Sequence, residues 1–174
     1  AYNQEGEPEG IVLRIDVDGS SMPVVIDGVF GKNHVFAALA ALTFAYGFKL
    51  NLLEAINALK NYDVPPGRMR LLRGVNGTLI IDDSYNSSPF ACESALRTLK
   101  EIKCDGQKIA VLGDMLELGK HTVEAHKNIG RMAKENADVL GVVGPRAEAM
   151  RDGALEAGMG EYRIFSFLKS KEAG

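Results

Sequence analysis

The first third of the chain changes from an alternating to a helical pattern of apolar residues. Over residues 10–30, apolar side chains recur at every second position on both sides of a DGSSMP break, which predicts two strands joined by a turn. Residues 35–46 are alanine-rich and apolar on nearly all sides, the pattern of a buried helix, and Gly47 would end it. Asn51 then predicts the cap of a second helix. We expect the two helices to form a hairpin.

The rest of the chain alternates short apolar runs with segments of helical length. The apolar runs lie at residues 78–82, 108–113, 138–144 and 162–167. Helical periodicity marks the stretches between them, at about 88–103, 122–135 and 145–157. This alternation is typical of right-handed βαβ units on a parallel sheet covered on both faces. The sequence therefore predicts an α/β fold with a Rossmann-like, mostly parallel sheet.

A proline-rich segment separates the two patterns. It has the sequence DVPPGR at residues 63–68, and its adjacent prolines prevent a helix from continuing. We place a domain boundary here, between residues 1–62 and 63–174. The first thirty residues predict strands with too few partners for an independent sheet, and the last residues predict the start of another helix. We therefore expect a piece of a longer protein.

Composition narrows the class of protein. The 174 residues are 46% hydrophobic and 25% charged with a formal net charge of -3, which is ordinary for a globular chain and gives no reason to expect nucleic acid. Cys92 and Cys104 form neither a disulfide framework nor a metal-ligand spacing, and they suit the cytoplasm. No stretch approaches the length of apolar sequence that would predict a membrane span.

Candidate ligand-binding residues follow the predicted strands, because ligands of an open parallel sheet bind at the carboxyl ends of its strands. The first apolar run is followed by Asp82, Asp83, Ser84, Tyr85, Asn86 and Ser87. Adjacent carboxylates suit ribose hydroxyls, a magnesium ion or a substrate ammonium, but strand-end aspartates also commonly stabilise turns. Asp114, after the second run, has the same two interpretations.

Two further positions suit an anionic ligand. Arg68 could bring a guanidinium to a phosphate or ribose, or could be a solvated linker residue. The start of the first helix, Gly31 to His34, could direct backbone amides at a ligand, or Asn33 could simply cap it. A metal site on His121 and His126 is not expected, since five residues do not bring two side chains to one helical face.

Four segments resemble the ATP-dependent Mur ligases in order and spacing. They are GKNHVFAALAAL (31–42), PPGRM (65–69), LIIDDSYNSSPFACESAL (79–96), and IAVLGDMLELG (109–119) followed by His126. The DDSYN and VLGDMxELG motifs resemble those of the Mur ligases that add D-alanyl-D-alanine. The resemblance covers about residues 20–167. It implies that residues 1–62 end a central ATPase domain and residues 63–174 form most of a C-terminal Rossmann-like domain.

The resemblance also implies a reaction. In the family, ATP and Mg²⁺ activate a carboxylate as an acyl phosphate, which an amine attacks. The substrates here would be UDP-N-acetylmuramoyl-tripeptide and D-alanyl-D-alanine, in peptidoglycan precursor synthesis by a monomeric enzyme without nucleic-acid or membrane partners. The chain has no GxxxxGK[ST] phosphate loop and no KGS-type motif, so we expect the fragment alone to be inactive, with ATP and Mg²⁺ bound mainly by the missing part.

Residue roles follow from the matching motifs. Arg68 would reach the ATP ribose or terminal phosphate on domain closure, with PPGR as the hinge, and Asp83 would hold the ribose hydroxyls. The family's first-helix motif is His-Asn with another Asn three residues on, whereas this chain has Asn33-His34 and Ala37, so only Asn33 carries over as an adenine contact. The dipeptide side would be lined by Ser84, Tyr85, Asn86 and Ser87.

Two alternatives stay open at the level of sequence. One is another Mur-type or folylpolyglutamate-like ligase that adds a different amine. The other is a module without catalytic activity that binds a nucleotide or a partner through its α/β domain. The two differ in whether the parent protein turns over ATP and which amine it accepts.

Overall fold

The computed structural model describes residues 1–4 and 6–173. Its contacts divide the chain into two compact units, Ala1–Tyr85 and Asn86–Gly174. No helix in the described residues is long and apolar enough to cross a membrane. The units are described one at a time below.

The first unit opens with the predicted hairpin. Strands β1 (Gly10–Val17) and β2 (Ser20–Asp27) pair antiparallel, with Val17 opposite Ser20. The two residues between them, Asp18 and Gly19, both have positive φ, at 49° and 77°. A two-residue turn with this backbone matches the twist of paired strands. The predicted strands and turn are therefore confirmed.

The predicted helical hairpin follows as α1 (Lys32–Gly47) and α2 (Leu52–Ala58). Asn51 caps α2 as expected, because its side-chain oxygen accepts from the backbone N–H groups of Leu53 and Glu54. The prediction that α1 is buried is wrong for this unit. One stripe of α1 packs on the hairpin core, whereas other apolar positions are exposed, including Phe36 and Phe44.

The strand before the DDSY residues pairs differently from the prediction. Strand β4 (Leu79–Asp82) pairs antiparallel with β3 (Arg70–Arg73), placing Arg70 opposite Asp82, and it is not part of the parallel sheet. The physical reason is the short connection at residues 74–78, which can turn the chain back on itself but is far too short for a parallel crossover. The four-residue strand β3 was not predicted.

The second unit contains the predicted parallel sheet. Its strand order is β5-β6-β7, from Ile109–Gly113, Val139–Val143 and Ile164–Phe167. Its helices are α3 (Pro89–Glu101), α4 (Thr122–Asn136) and α5 (Glu148–Glu156). This mixed α/β arrangement confirms the predicted fold class. The expectation that both sheet faces are covered is wrong within this unit, since Ile109, Val111 and Phe165 are each about half-exposed.

Candidate functional site

The PPGRM segment is bonded to the carboxyl end of β4. The Gly67 N–H donates to Oδ2 of Asp82 at 3.0 Å, and the Tyr85 N–H donates to the Gly67 carbonyl at 3.1 Å. The Met69 N–H donates to Oδ1 of Asp83 at 3.1 Å. These bonds bring Arg68, which was predicted from the linker, beside residues predicted from a strand end.

Gly67 is required by this close approach. Its φ is +70°, and a Cβ there would lie 2.6 Å from the backbone nitrogen of Tyr85. Glycine alone combines that conformation with that contact. The glycine of PPGRM therefore has a packing reason as well as a conformational one.

The Arg68 side chain lies over an aromatic ring. It is exposed, and its Cζ is 4.0 Å from the centroid of the Tyr85 ring, a cation–π contact. The prediction nominated both residues but gave no reason for them to touch. Asn33, the predicted adenine contact, is exposed in the first turn of α1. It does not cap that helix, because Gly31 is the N-cap and no side chain bonds there.

His34, beside Asn33, is the polar residue that sequence reasoning missed. It is only 7% exposed, and its Nε2 lies 2.8 Å from the Arg68 carbonyl oxygen. The Tyr62 hydroxyl is 3.4 Å from Nδ1, and the two rings meet edge-on. The sequence offered one signal: at the start of α1 this chain has Asn33-His34, the reverse of the His-Asn order in the family's motif.

The two neighbouring carboxylates differ in their electrostatics. Hydrogen bonds from Ser84 hold the pKa of Asp82 below its ordinary value, through the hydroxyl at 2.6 Å and the backbone N–H at 3.2 Å. Burial raises the pKa of Asp83, and the Met69 N–H and the charge of Arg68 offset this in part. Asp82 thus stabilises a turn, whereas Asp83 is a half-buried carboxylate beside a guanidinium.

Asn86 and Ser87 begin the second unit. The Ser87 N–H donates to the side-chain oxygen of Asn86, and the Ser87 hydroxyl lies 3.3 Å from Sγ of Cys92. Ser88 caps α3 and Pro89 occupies its first turn, as the sequence predicts. Four of the predicted site residues, namely Arg68, Asp83, Ser84 and Tyr85, thus lie together in the first unit.

Polar residues at the carboxyl edge of the parallel sheet serve the fold. Oδ1 of Asp114 accepts from the backbone N–H groups of Arg146 and Ala147, which supports its interpretation as a loop-stabilising residue. His126 is fully buried, accepts from the Met115 N–H at 3.0 Å, and lies 2.7 Å from the Thr122 carbonyl through Nδ1. Among the described residues, no group of three or more His, Cys, Asp or Glu could hold a metal ion.

Comparison with known protein families shows which family the chain belongs to. Residues 67–173 match the family model described as "Mur ligase, glutamate ligase domain". The chain belongs to the Mur ligase family. The resemblance inferred from its motifs is therefore confirmed. The match begins at residue 67 and the compact units divide after Tyr85, so the predicted domain boundary at residue 63 stays a prediction.

Individual relatives point to one branch of the family. The chain is 31% identical to the UDP-N-acetylmuramoyl-tripeptide--D-alanyl-D-alanine ligase of Bacillus subtilis over 129 residues, 74% of this chain and 28% of that protein. The Escherichia coli ligase of the same name is also 31% identical, over 76% of this chain and 28% of that protein. The chain thus spans about 28% of the length of these relatives.

Solved structures agree with the sequence comparison. MurF from Acinetobacter baumannii superposes with a TM-score of 0.80 at 27% identity, over 96% of this chain and 35% of that one. MurF ligase from Thermotoga maritima, solved in complex with ADP, superposes with a TM-score of 0.71 at 24% identity, over 98% of this chain and 42% of that one. Because its identity is only 24%, the likeness to the Thermotoga maritima ligase supports the fold alone.

Proposed function

We propose that the chain is the C-terminal part of an ATP-dependent ligase that adds D-alanyl-D-alanine to UDP-N-acetylmuramoyl-tripeptide in peptidoglycan precursor synthesis. The main support for this proposal is that the PPGRM segment is hydrogen-bonded to Asp82 and Asp83 at the end of β4. Arg68 therefore lies beside Asp83, in a chain of the Mur ligase family. The relatives named for this reaction support the choice of amine. We propose a monomeric cytoplasmic enzyme, since a chain with two cysteines, Cys92 and Cys104, and no disulfide framework in its sequence suits a reducing compartment.

The proposed chemistry forms one amide bond at the expense of ATP. ATP would supply the phosphoryl group that turns the tripeptide carboxylate into an acyl phosphate. The dipeptide amine then attacks the acyl carbon, the tetrahedral intermediate expels phosphate, and the nitrogen loses a proton. Catalysis of this kind depends on positioning and charge neutralisation, so a guanidinium contributes more than a protein nucleophile would.

Residues of the first unit fit a nucleotide. The exposed guanidinium of Arg68 suits a phosphate or the ribose, and the carboxylate of Asp83 can accept from ribose hydroxyls. Asn33 offers an exposed amide to adenine. These residues do not fit a magnesium ion, because the described residues contain no group of three or more His, Cys, Asp or Glu side chains that could bind one, and the sequence has no phosphate loop. We therefore assign no step on this chain to the metal.

The dipeptide would be contacted by the residues that follow β4. The Ser84 hydroxyl donates to Asp82, so Ser84 can offer the dipeptide a lone pair but not its proton. Tyr85 is exposed, and because Arg68 covers one face of its ring, it would contact the dipeptide through the rest of the ring. Asn86 and Ser87 complete the proposed set.

Two variants of the full-length ligase test this proposal. Arg68→Ala and Asp83→Ala should each lower ligation by about 10²-fold or more, with circular dichroism unchanged. Arg97→Ala is the matched control, because Arg97 is an exposed arginine that pairs with Glu93 on its own helix. Near-normal turnover in both site variants would contradict the assignment.

A substrate panel separates the alternatives. D-alanyl-D-alanine should support phosphate release from ATP, whereas meso-diaminopimelate, lysine and glutamate should not. Preference for another amine would favour a different Mur-type or folylpolyglutamate-like ligase. ATP binding without turnover by the full-length protein would favour the binding module.

A further inference from the structure

The peptide group between Arg68 and Met69 is held at both ends. Its carbonyl oxygen lies 2.8 Å from Nε2 of His34, and its N–H donates to Oδ1 of Asp83 at 3.1 Å. A carbonyl oxygen can only accept, so Nε2 of His34 must carry a proton and donate it. Two side chains that are distant in sequence thus fix the orientation of a single peptide plane.

The orientation of that plane determines where the Arg68 side chain begins. Turning the plane changes ψ of Arg68 and φ of Met69 together. Met69 has a φ of +54°, a left-handed conformation that a residue with a side chain keeps only when surrounding contacts impose it. The Met69 side chain is buried and its carbonyl accepts from the Phe30 N–H at 3.1 Å. The two bonds to the plane complete this set of constraints.

His34 is a rigid support for the carbonyl. It lies in the first turn of α1, almost completely buried, and its ring meets the Tyr62 ring edge-on with centroids 5.8 Å apart. The Tyr62 hydroxyl approaches Nδ1, the nitrogen that does not face Arg68. A ring locked on both sides can hold a partner more precisely than a loop residue can.

We propose that His34 is a positioning residue for Arg68. By holding the Arg68 carbonyl, it sets the direction from which the guanidinium leaves the backbone and reaches a nucleotide phosphate or ribose. His34 acts through the main chain and does not touch the nucleotide. The proposal rests on the proposed function of Arg68. It gives a role to His34, whereas the family's first-helix motif was carried over to this chain only at Asn33.

Side-chain length provides the first test, in the full-length ligase. The amide nitrogen of glutamine can replace Nε2 of histidine, whereas that of asparagine is too short to reach the Arg68 carbonyl. We expect His34→Ala and His34→Asn to lower kcat by about tenfold or more, and His34→Gln to stay within about threefold of the wild type. Rescue by asparagine equal to that by glutamine would overturn the proposal. His121→Ala, which removes an exposed histidine of the second unit, should leave the rate unchanged.

A double-mutant cycle distinguishes positioning from a general loss of structure. If His34 acts through Arg68, His34→Ala should cause little further loss once Arg68→Ala is present. Losses in kcat that multiply independently would show a separate structural role for His34 and overturn the proposal. Thermal unfolding of each variant gives the accompanying measure of folding.

NMR of the 174-residue chain tests the geometry without any ligase assay. We expect His34 to show a protonated Nε2, and His34→Ala but not His34→Gln to shift the Met69 amide resonance. If the wild-type ligase does not use D-alanyl-D-alanine, the proposed function fails and the Met69 resonance still decides whether His34 holds the peptide. If the ligase is active and the Met69 resonance ignores His34→Ala, this inference alone fails.

Discussion

The guanidinium carbon of Arg68 lies 4.0 Å from the centre of the Tyr85 ring. The contact restricts a long exposed side chain that would otherwise sample many rotamers. At an exposed site a cation–π contact contributes about 0.5–1 kcal/mol. That energy is small enough for a phosphate to displace the ring, and large enough to hold the guanidinium near Asp83 before a ligand arrives.

Substituting Tyr85 should release Arg68. In Tyr85→Ala, the side-chain proton resonances of Arg68 should move to those of a free arginine because the ring current disappears, whereas Tyr85→Phe should keep them. Arg163 is the internal control, because its Cζ lies 5.4 Å from the Tyr162 ring and Tyr162→Ala should shift it less. Arg68 resonances that are the same in the wild type and in Tyr85→Ala would show that the contact does not persist in solution.

Gly67 and Gly19 form a matched pair for measuring close packing. Both have positive φ, at +70° and +77°, but only Gly67 has an atom within 4 Å of its added Cβ. Gly19→Ala should cost about 1–2 kcal/mol from backbone strain alone. Gly67→Ala should cost clearly more, since the new methyl group pushes against the Tyr85 backbone and breaks its bond to the Gly67 carbonyl. Urea unfolding of both variants checks the order, and equal losses would argue against the close approach.

Asp82 and Asp83 should affect stability in opposite directions as pH changes. The lowered pKa of Asp82 means that its carboxylate stabilises the fold above the unfolded-state pKa, and that this contribution is lost as pH falls through the folded-state pKa. The raised pKa of Asp83 means that its ionisation opposes folding, at a cost that appears as pH rises through its unfolded-state and then its folded-state pKa.

Asparagine variants separate these two effects. Asp82→Asn should be less stable than the wild type at pH 7, and the difference should close under acid conditions below the lowered pKa. Asp83→Asn keeps an oxygen for the Met69 N–H and removes a half-buried charge, so it should be at least as stable as the wild type at pH 7. Urea unfolding at pH 7 and in acid measures both. A loss of stability in Asp83→Asn matching that in Asp82→Asn would contradict the opposite shifts.

Local periodicity predicted most elements, but strand pairing depended on a connection that periodicity does not describe. The β1–β2 hairpin, the Asn51 cap and the parallel sheet of the second unit follow from patterns within each segment. The apolar residues of β4 suit either a parallel or an antiparallel strand. Its partner β3 has the sequence RLLR, with only two apolar residues, so no pattern marked it.

In the candidate site too, residues marked by a local motif could be predicted, whereas a contact between residues distant in sequence could not. Arg68, Asp83 and Tyr85 could be nominated because a linker motif and a strand end mark them. The role of His34 could not, because its bond to Arg68 joins positions 34 residues apart. On a helix, adjacent residues point about 100° apart, so the choice between Asn33 and His34 depends on where α1 begins. The sequence suggested a start capped by Asn33, whereas the cap is Gly31 and the helix begins two residues earlier, at Lys32.

His126 fixes the loop after β5 in the second unit. Because the Met115 N–H donates to Nε2, that nitrogen must be unprotonated, so Nδ1 carries the proton and donates to the Thr122 carbonyl. A neutral imidazole with this one tautomer satisfies two backbone groups at a position with no exposed surface. His126, which the sequence analysis named after the IAVLGDMLELG motif and in a histidine pair not expected to bind a metal, is thus a structural link between α4 and the β5 loop.

Replacing His126 should therefore destabilise the second unit. His126→Ala leaves the Met115 N–H without its acceptor and opens a cavity, which should cost about 2–4 kcal/mol. His121→Ala, at an exposed histidine near the start of the same helix, should change stability by no more than about 0.5 kcal/mol. Hydrogen exchange at the Met115 amide should accelerate in the first variant only. Unchanged exchange there would mean that the amide finds another acceptor and that His126 contributes mainly by filling space.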